Sequence, residues 1–239
     1  MPLLLTPPMA PPRAARSPCQ ACGVREHVLF ASLGGEQLAQ QPVRPGWTGP
    51  EQALLARGHR GRFVYTIRSG LVRLERVTAR GDTRVVRLAG RGDLVGLEAL
   101  LGLPHADDAV ACTPVEACAI AVDEIERLAS EVGSLRQDLM LRWQRSLDAA
   151  SSWSAEMCTG PARRRLLKLL EMLLPHADAD GTLWLPRREL MGAMLDIALE
   201  TASRLVSQLR QEGVLEPLPR QAARVDGERL AHALAAADR

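Results

Sequence analysis

Between Arg57 and Val122 the chain is a series of short β-prone segments punctuated by glycines; beyond Asp123 its apolar residues recur at helical spacing. This change of period constrains the fold more than any other feature. The first regime holds Phe63-Val64-Tyr65-Thr66-Ile67, then Ser69-Gly70 and Leu71-Val72-Arg73-Leu74-Glu75-Arg76-Val77. A turn at Ala79-Arg80-Gly81-Asp82 leads to Thr83-Arg84-Val85-Val86-Arg87-Leu88, and Gly90-Arg91-Gly92-Asp93 precedes Leu94-Val95-Gly96. Short strands at such even spacing predict an antiparallel roll or barrel. In the second regime Ile125, Leu128 and Val132 mark a short helix, Gly133-Ser134 interrupts it, and Ser134 suits the next helix start. The stripe Leu135, Leu139, Trp143, Leu147, Ala150, Trp153 and Met157 then advances by threes and fours, the pattern of a helix–helix seam. The same stripe also suits a helix lying on its own roll. The expected class is α+β.

Thr159-Gly160-Pro161 reads as a hinge, with Pro161 suited to open a helix. Arg163-Arg164-Arg165 follows, read equally as a phosphate contact or a solvated face, and Leu166, Leu167, Leu169, Leu170, Leu173 and Leu174 supply a second core. After the polar loop His176 to Gly181 and a short strand at Leu183-Trp184-Leu185, Pro186-Arg187-Arg188-Glu189 opens a pair of short helices. Their inner stripe is Leu190, Met194, Ile197, Ala202, Leu205, Val206 and Leu209, and Gly213 stops the second. The outer face of that second helix carries Glu200, Ser203 and Arg204, neighbours at helical spacing, with Thr201 beside them. Arg pairs with both guanine acceptors, Glu accepts from the cytosine amino group, and Ser serves either role, so this face has the chemistry of a major-groove reader. Val214-Leu215-Glu216-Pro217 and Ala223-Arg224-Val225 form a wing whose Arg220 and Arg224 are placed for phosphates, as are Arg187 and Arg188.

Composition limits the alternatives. A chain of 239 residues with 46% apolar and 24% charged residues has material for two packed domains. The net charge of only +2 means that nucleic-acid binding must rest on locally placed arginines, since Lys168 is the sole lysine. No apolar run is long enough to cross a bilayer, and Pro-rich Met1 to Ser17 resembles neither an export signal nor an anchor, so a cytoplasmic location is expected. The five cysteines are then expected to be reduced thiols, metal ligands or redox groups, not a disulfide scaffold. An enzyme built on Cys22 or Cys158 with His27 or His176 has no supporting spacing.

From about Gln52 to Ala231 the chain resembles the CRP/FNR family of bacterial transcription factors. The resemblance rests on Ser69-Gly70-Leu71-Val72-Arg73, Gly92-Asp93-Leu94-Val95-Gly96 and Glu200-x-x-Ser203-Arg204, the last in the manner of the FNR branch. Pro-rich composition makes 1–18 an expected disordered tail, and the resemblance implies a cyclic-nucleotide-binding-type roll with a Cys-x-x-Cys arm (19–132), a dimerisation helix (133–158) and a winged helix-turn-helix (159–239). It also implies a homodimer that reads half-sites of the type TTGAT…ATCAA, with promoter DNA and RNA polymerase as partners and no membrane. Family members open the recognition helix with Ser or Thr and often carry glycine in the preceding turn; here Ala198 and Asp196 stand there. Nucleotide-binding relatives hold the cyclic phosphate with Arg-Ser or Arg-Thr, whereas Ala106-Asp107-Asp108-Ala109 occupies that segment, so cAMP is not the expected effector. The FNR branch holds a four-iron cluster on four cysteines. Cys19, Cys22 and Cys118 match three of them, and His27 or Cys112 is left as a substitute fourth. A cluster, a zinc ion, a dithiol at Cys19 and Cys22, or no cofactor all remain open. The expected signal is redox or oxygen-related; a cluster-less sensor of another small ligand, with weakened DNA binding, is the alternative.

Overall fold

The computed structural model describes residues 43–238. These divide into two compact units, 43–76 with 87–148, and 77–86 with 149–238. The expected tail and the Cys-x-x-Cys arm lie outside the described residues.

Residues 44–121 form the expected antiparallel roll. One sheet has the order β1 (Arg44–Thr48), β8 (Val115–Ala121), β3 (Phe63–Ser69), β6 (Leu94–Val95). The other runs β2 (Ala53–Leu55), β7 (Asp108–Ala111), β4 (Val72–Val77), β5 (Thr83–Ala89). Alternation fixes the register: Val64 pairs with Ile120 across β3 and β8, and both are buried. Gly70 makes the tight β3–β4 turn at φ 85°, where an added Cβ would lie 2.3 Å from the Pro114 carbonyl oxygen, so glycine is required. A 3-10 helix at Leu97–Leu101 follows β6.

Helix α1 (Val122–Glu131) closes the roll, and α2 (Gly133–Met157) is the long helix. Val64, Leu94, Leu97, Ile120, Ile125, Leu128 and Leu135 form one core, against which Leu139 and Trp143 pack. Each such fully buried aliphatic side chain stabilises the fold by about 1.5–3 kcal/mol.

In the second unit α3 (Ala162–Leu173) buries Leu166, Leu167, Leu169, Leu170 and Leu173. Helices α4 (Arg188–Leu195) and α5 (Leu199–Gln211) bury Met191, Met194 and Leu195, then Ala202, Leu205, Val206 and Leu209 against them. A three-stranded sheet of order β10 (Leu215–Leu218), β11 (Ala222–Val225), β9 (Leu183–Trp184) forms the wing. Helix α5 ends as the sequence requires: Gly213 has φ 69°, its N–H donates to Arg210, and the Val214 N–H reaches back to the Leu209 carbonyl at 2.9 Å. A final helix, α6 (Gly227–Ala237), was not anticipated from the sequence; the Asp226 side chain accepts from the Arg229 N–H at 3.0 Å and caps it.

Candidate nucleic-acid interface

The α4–α5 turn is Asp196, Ile197 and Ala198. Asp196 adopts the left-handed conformation (φ 52°, ψ 51°) expected of a residue standing in for glycine. The Asp196 and Ile197 N–H groups both donate to the Gly192 carbonyl, the second at 3.3 Å. A Cβ on Gly192 would come within 2.8 Å of the Ile197 carbonyl oxygen, so this glycine permits the close return of the chain. Ala198 is the N-cap of α5 and makes no side-chain cap bond, as its identity dictates.

Along α5, Glu200, Ser203 and Arg204 are exposed together, while Thr201 is half-buried. Glu200 and Arg204 form no ion pair with each other among the described residues. Ser207 continues the face one turn on, its hydroxyl donating to the Ser203 carbonyl at 3.0 Å. Sequence reasoning passed over Leu199, which stands 43% exposed at the first position of α5. It breaks the inner stripe, and that is the signal that could have flagged it. An exposed apolar residue beside Glu200, Ser203 and Arg204 has the chemistry to meet a thymine methyl group.

Around this helix Arg187 is exposed at the start of α4. Arg188 is half-buried, and desolvation lowers its pKa below the ordinary guanidinium value. Arg220 and Gln221 form the wing tip, both left-handed (φ 61° and 58°), and Arg224 lies exposed on β11 opposite Glu216.

The long-helix stripe divides. Leu135, Leu139 and Trp143 face the roll core, Trp153 and Met157 are buried, and Ala150 is half-buried. Leu147 instead opens to solvent at 52% exposure, along with Met140 at 73% and Leu141 at 51%.

Of the proposed metal ligands, Cys19, Cys22 and His27 lie outside the described residues. Cys118 is half-buried on β8, in register with Pro45 and Thr66. Among the described residues there is no group of three or more His, Cys, Asp or Glu able to hold a metal. Cys112 makes a poor substitute ligand: it is buried, and desolvation pushes its thiol up to about 12 despite the neighbouring Arg73 guanidinium. That guanidinium is itself held by Glu51 at 2.8 Å and Glu75 at 2.6 Å. In the segment where nucleotide-binding relatives hold the phosphate, Asp107 accepts from Arg76 at 2.7 Å and Asp108 from the Arg57 N–H at 2.9 Å. Neither offers a donor to an anion.

Residues 48–132 match the cyclic nucleotide-binding domain family. The chain is 26% identical over 212 residues to the fumarate and nitrate reduction regulatory protein of Yersinia pestis, covering 82% of each. It is 24% identical to the regulatory protein HlyX of Actinobacillus pleuropneumoniae, over 82% of this chain and 85% of that one. In fold it is similar to FixK2 of Bradyrhizobium japonicum (TM-score 0.70, 21% identity, 80% of this chain and 96% of that one). It is also similar to TTHB099, a CRP-family transcriptional regulator of Thermus thermophilus (TM-score 0.68, 20% identity, 79% and 96%). The relatives carry the names of transcription regulators, not of enzymes, and with the roll and the helix-turn-helix they support a regulator of the CRP/FNR type.

Proposed function

We propose that this chain is a homodimeric, sequence-specific transcription regulator that reads promoter palindromes of the type TTGAT…ATCAA. The observation that carries this reading is the exposed Glu200, Ser203 and Arg204 face on a helix whose opposite side is fully committed to the core. Arg187, Arg220 and Arg224 surround it with exposed cations suited to phosphates, which position a domain while base contacts give it preference. Thr201 and Arg188, both half-buried, take supporting places at its edge. A second copy pairs along α2, and a two-fold dimer presents two such helices to two half-sites. RNA polymerase is the further partner, and the working compartment is the cytoplasm.

The proposed signal is redox or oxygen-related, in line with relatives named for fumarate and nitrate reduction and for anaerobic regulation. Cys118 with Cys19, Cys22 and His27 is the candidate ligand set for an iron–sulfur cluster or another metal. The Asp107 and Asp108 carboxylates speak against cAMP as effector. Binding of a TTGAT…ATCAA duplex by the unaltered chain and by Arg204→Ala tests the reading. Losing a base-reading arginine costs about 1–3 kcal/mol and relaxes preference at one position. Equal affinity of both proteins for scrambled and palindromic DNA contradicts it.

A further inference from the structure

The arginine run that opens α3, read from the sequence as a phosphate contact or a solvated face, is half-buried and held by partners within the chain. Arg163 grips Glu212 through two bonds, at 3.0 and 2.6 Å. Arg164 binds Glu156 at 2.7 Å and Asp238 at 2.5 Å. Arg165 turns to backbone: its Nη1 donates to the carbonyl of Leu195, the last residue of α4, and lies 3.5 Å from that of Asp196. Its Nε is buried, with no hydrogen-bond partner among the described residues.

We propose that Arg165 is a positioning residue for base reading, holding the α4–α5 turn and thereby the angle at which α5 presents Glu200, Ser203 and Arg204. This rests on the DNA-reading function proposed above. The carbonyls at a helix C-terminus carry the negative end of its dipole and lack partners within the helix, so a guanidinium there is doubly favourable. The local sequence leaves room for such a brace. Asp196 occupies a conformation that an L residue adopts at a cost, and Ala198 contributes no capping oxygen at the start of α5. The turn is held besides by the Asp196 and Ile197 N–H groups on the Gly192 carbonyl, and its Asp196 carboxylate pairs with the Arg84 guanidinium at 2.6 Å. Both carbonyls are met by Nη1, whose donors the rigid guanidinium plane holds in a fixed direction; an ammonium on a flexible stem keeps that direction less well.

The full chain and its Arg165→Met and Arg165→Lys variants are titrated with a TTGAT…ATCAA duplex and a scrambled duplex at several salt concentrations, with thermal unfolding followed in parallel. A positioning role predicts that Arg165→Met lowers the ratio of specific to scrambled affinity about 10-fold, a discrimination on the scale of one base contact. The salt slope stays unchanged, and Arg165→Lys recovers part of the ratio. Should Arg165→Met fail to fold, the partial loss in Arg165→Lys carries the test. A salt slope lower by roughly 0.9, with both duplexes weakened alike, makes Arg165 a phosphate contact and overturns the proposal. A lower melting temperature with an unchanged ratio makes it purely structural and overturns it too. Absence of discrimination by the unaltered chain overturns the reading of the whole interface, and this role with it.

Discussion

Ala198 opens the reading helix without a capping oxygen, and the first-turn N–H groups of α5 are left to solvent or to a bound phosphate. Ala198→Ser supplies an acceptor and is expected to stabilise the protein by about 0.5–2 kcal/mol, seen as a higher melting temperature. A lower one contradicts the assigned N-cap. Cys112 gives a second prediction at this scale. Burial raises its thiol from the ordinary 9.0 to about 12, so the folded state holds that proton more tightly than the unfolded chain. Its contribution to stability is complete below pH 9 and is lost as pH climbs towards about 12. Urea unfolding should therefore weaken over this range more steeply in the unaltered protein than in Cys112→Ala. Parallel pH curves contradict it. The outward residues Glu200, Ser203 and Arg204 were legible because helical spacing puts them on one face. Leu199 and Arg165 were not, since whether an apolar side chain faces solvent, or an arginine faces a carbonyl, depends on the packing of other elements.

At the scale of elements, periodicity announced that α2 bears an apolar stripe but not which neighbour receives it. Leu135, Leu139 and Trp143 go to the roll, and the residues left open, Met140, Leu141 and Leu147, include two outside the sequence-derived stripe. A seam read by spacing alone merges two faces of one helix. If the open face is the dimer seam, Met140→Glu with Leu147→Glu places charges where burial would be costly. Sedimentation at micromolar concentration should then show a monomer that keeps its melting temperature. An unchanged dimer moves the seam elsewhere. The wing strands were visible in the sequence, but their tip was not, because Arg220 and Gln221 take left-handed conformations usually signalled by glycine or asparagine. Helix α6 escaped notice because its capping aspartate directly follows a strand and its alanine-rich run buries only Leu230 and Leu234, too few apolar positions to mark a period.

For the molecule as a whole, the succession of roll, long helix and winged helix-turn-helix followed from the change in sequence period, and the similarity to FixK2 extends over 80% of the chain. The proposed site was partly legible because base reading would need few residue types at fixed helical spacing. The proposed ligand set was less so, because Cys19, Cys22 and His27 lie far along the chain from Cys118 and share no local period with it. A net charge of +2 leaves the whole surface with little unspecific pull on DNA, so the account assigns affinity to the α5 face and its surrounding arginines. The most direct measurement is equilibrium binding at physiological salt to three duplexes of equal length, carrying the full palindrome, one half-site or a scrambled sequence, with chains counted per bound duplex. A dimeric reader puts two chains on the palindrome, with an affinity at least about 1,000-fold above that for scrambled DNA and an intermediate value for the half-site. Indistinguishable affinities for the three, or a single chain on the palindrome, contradict this.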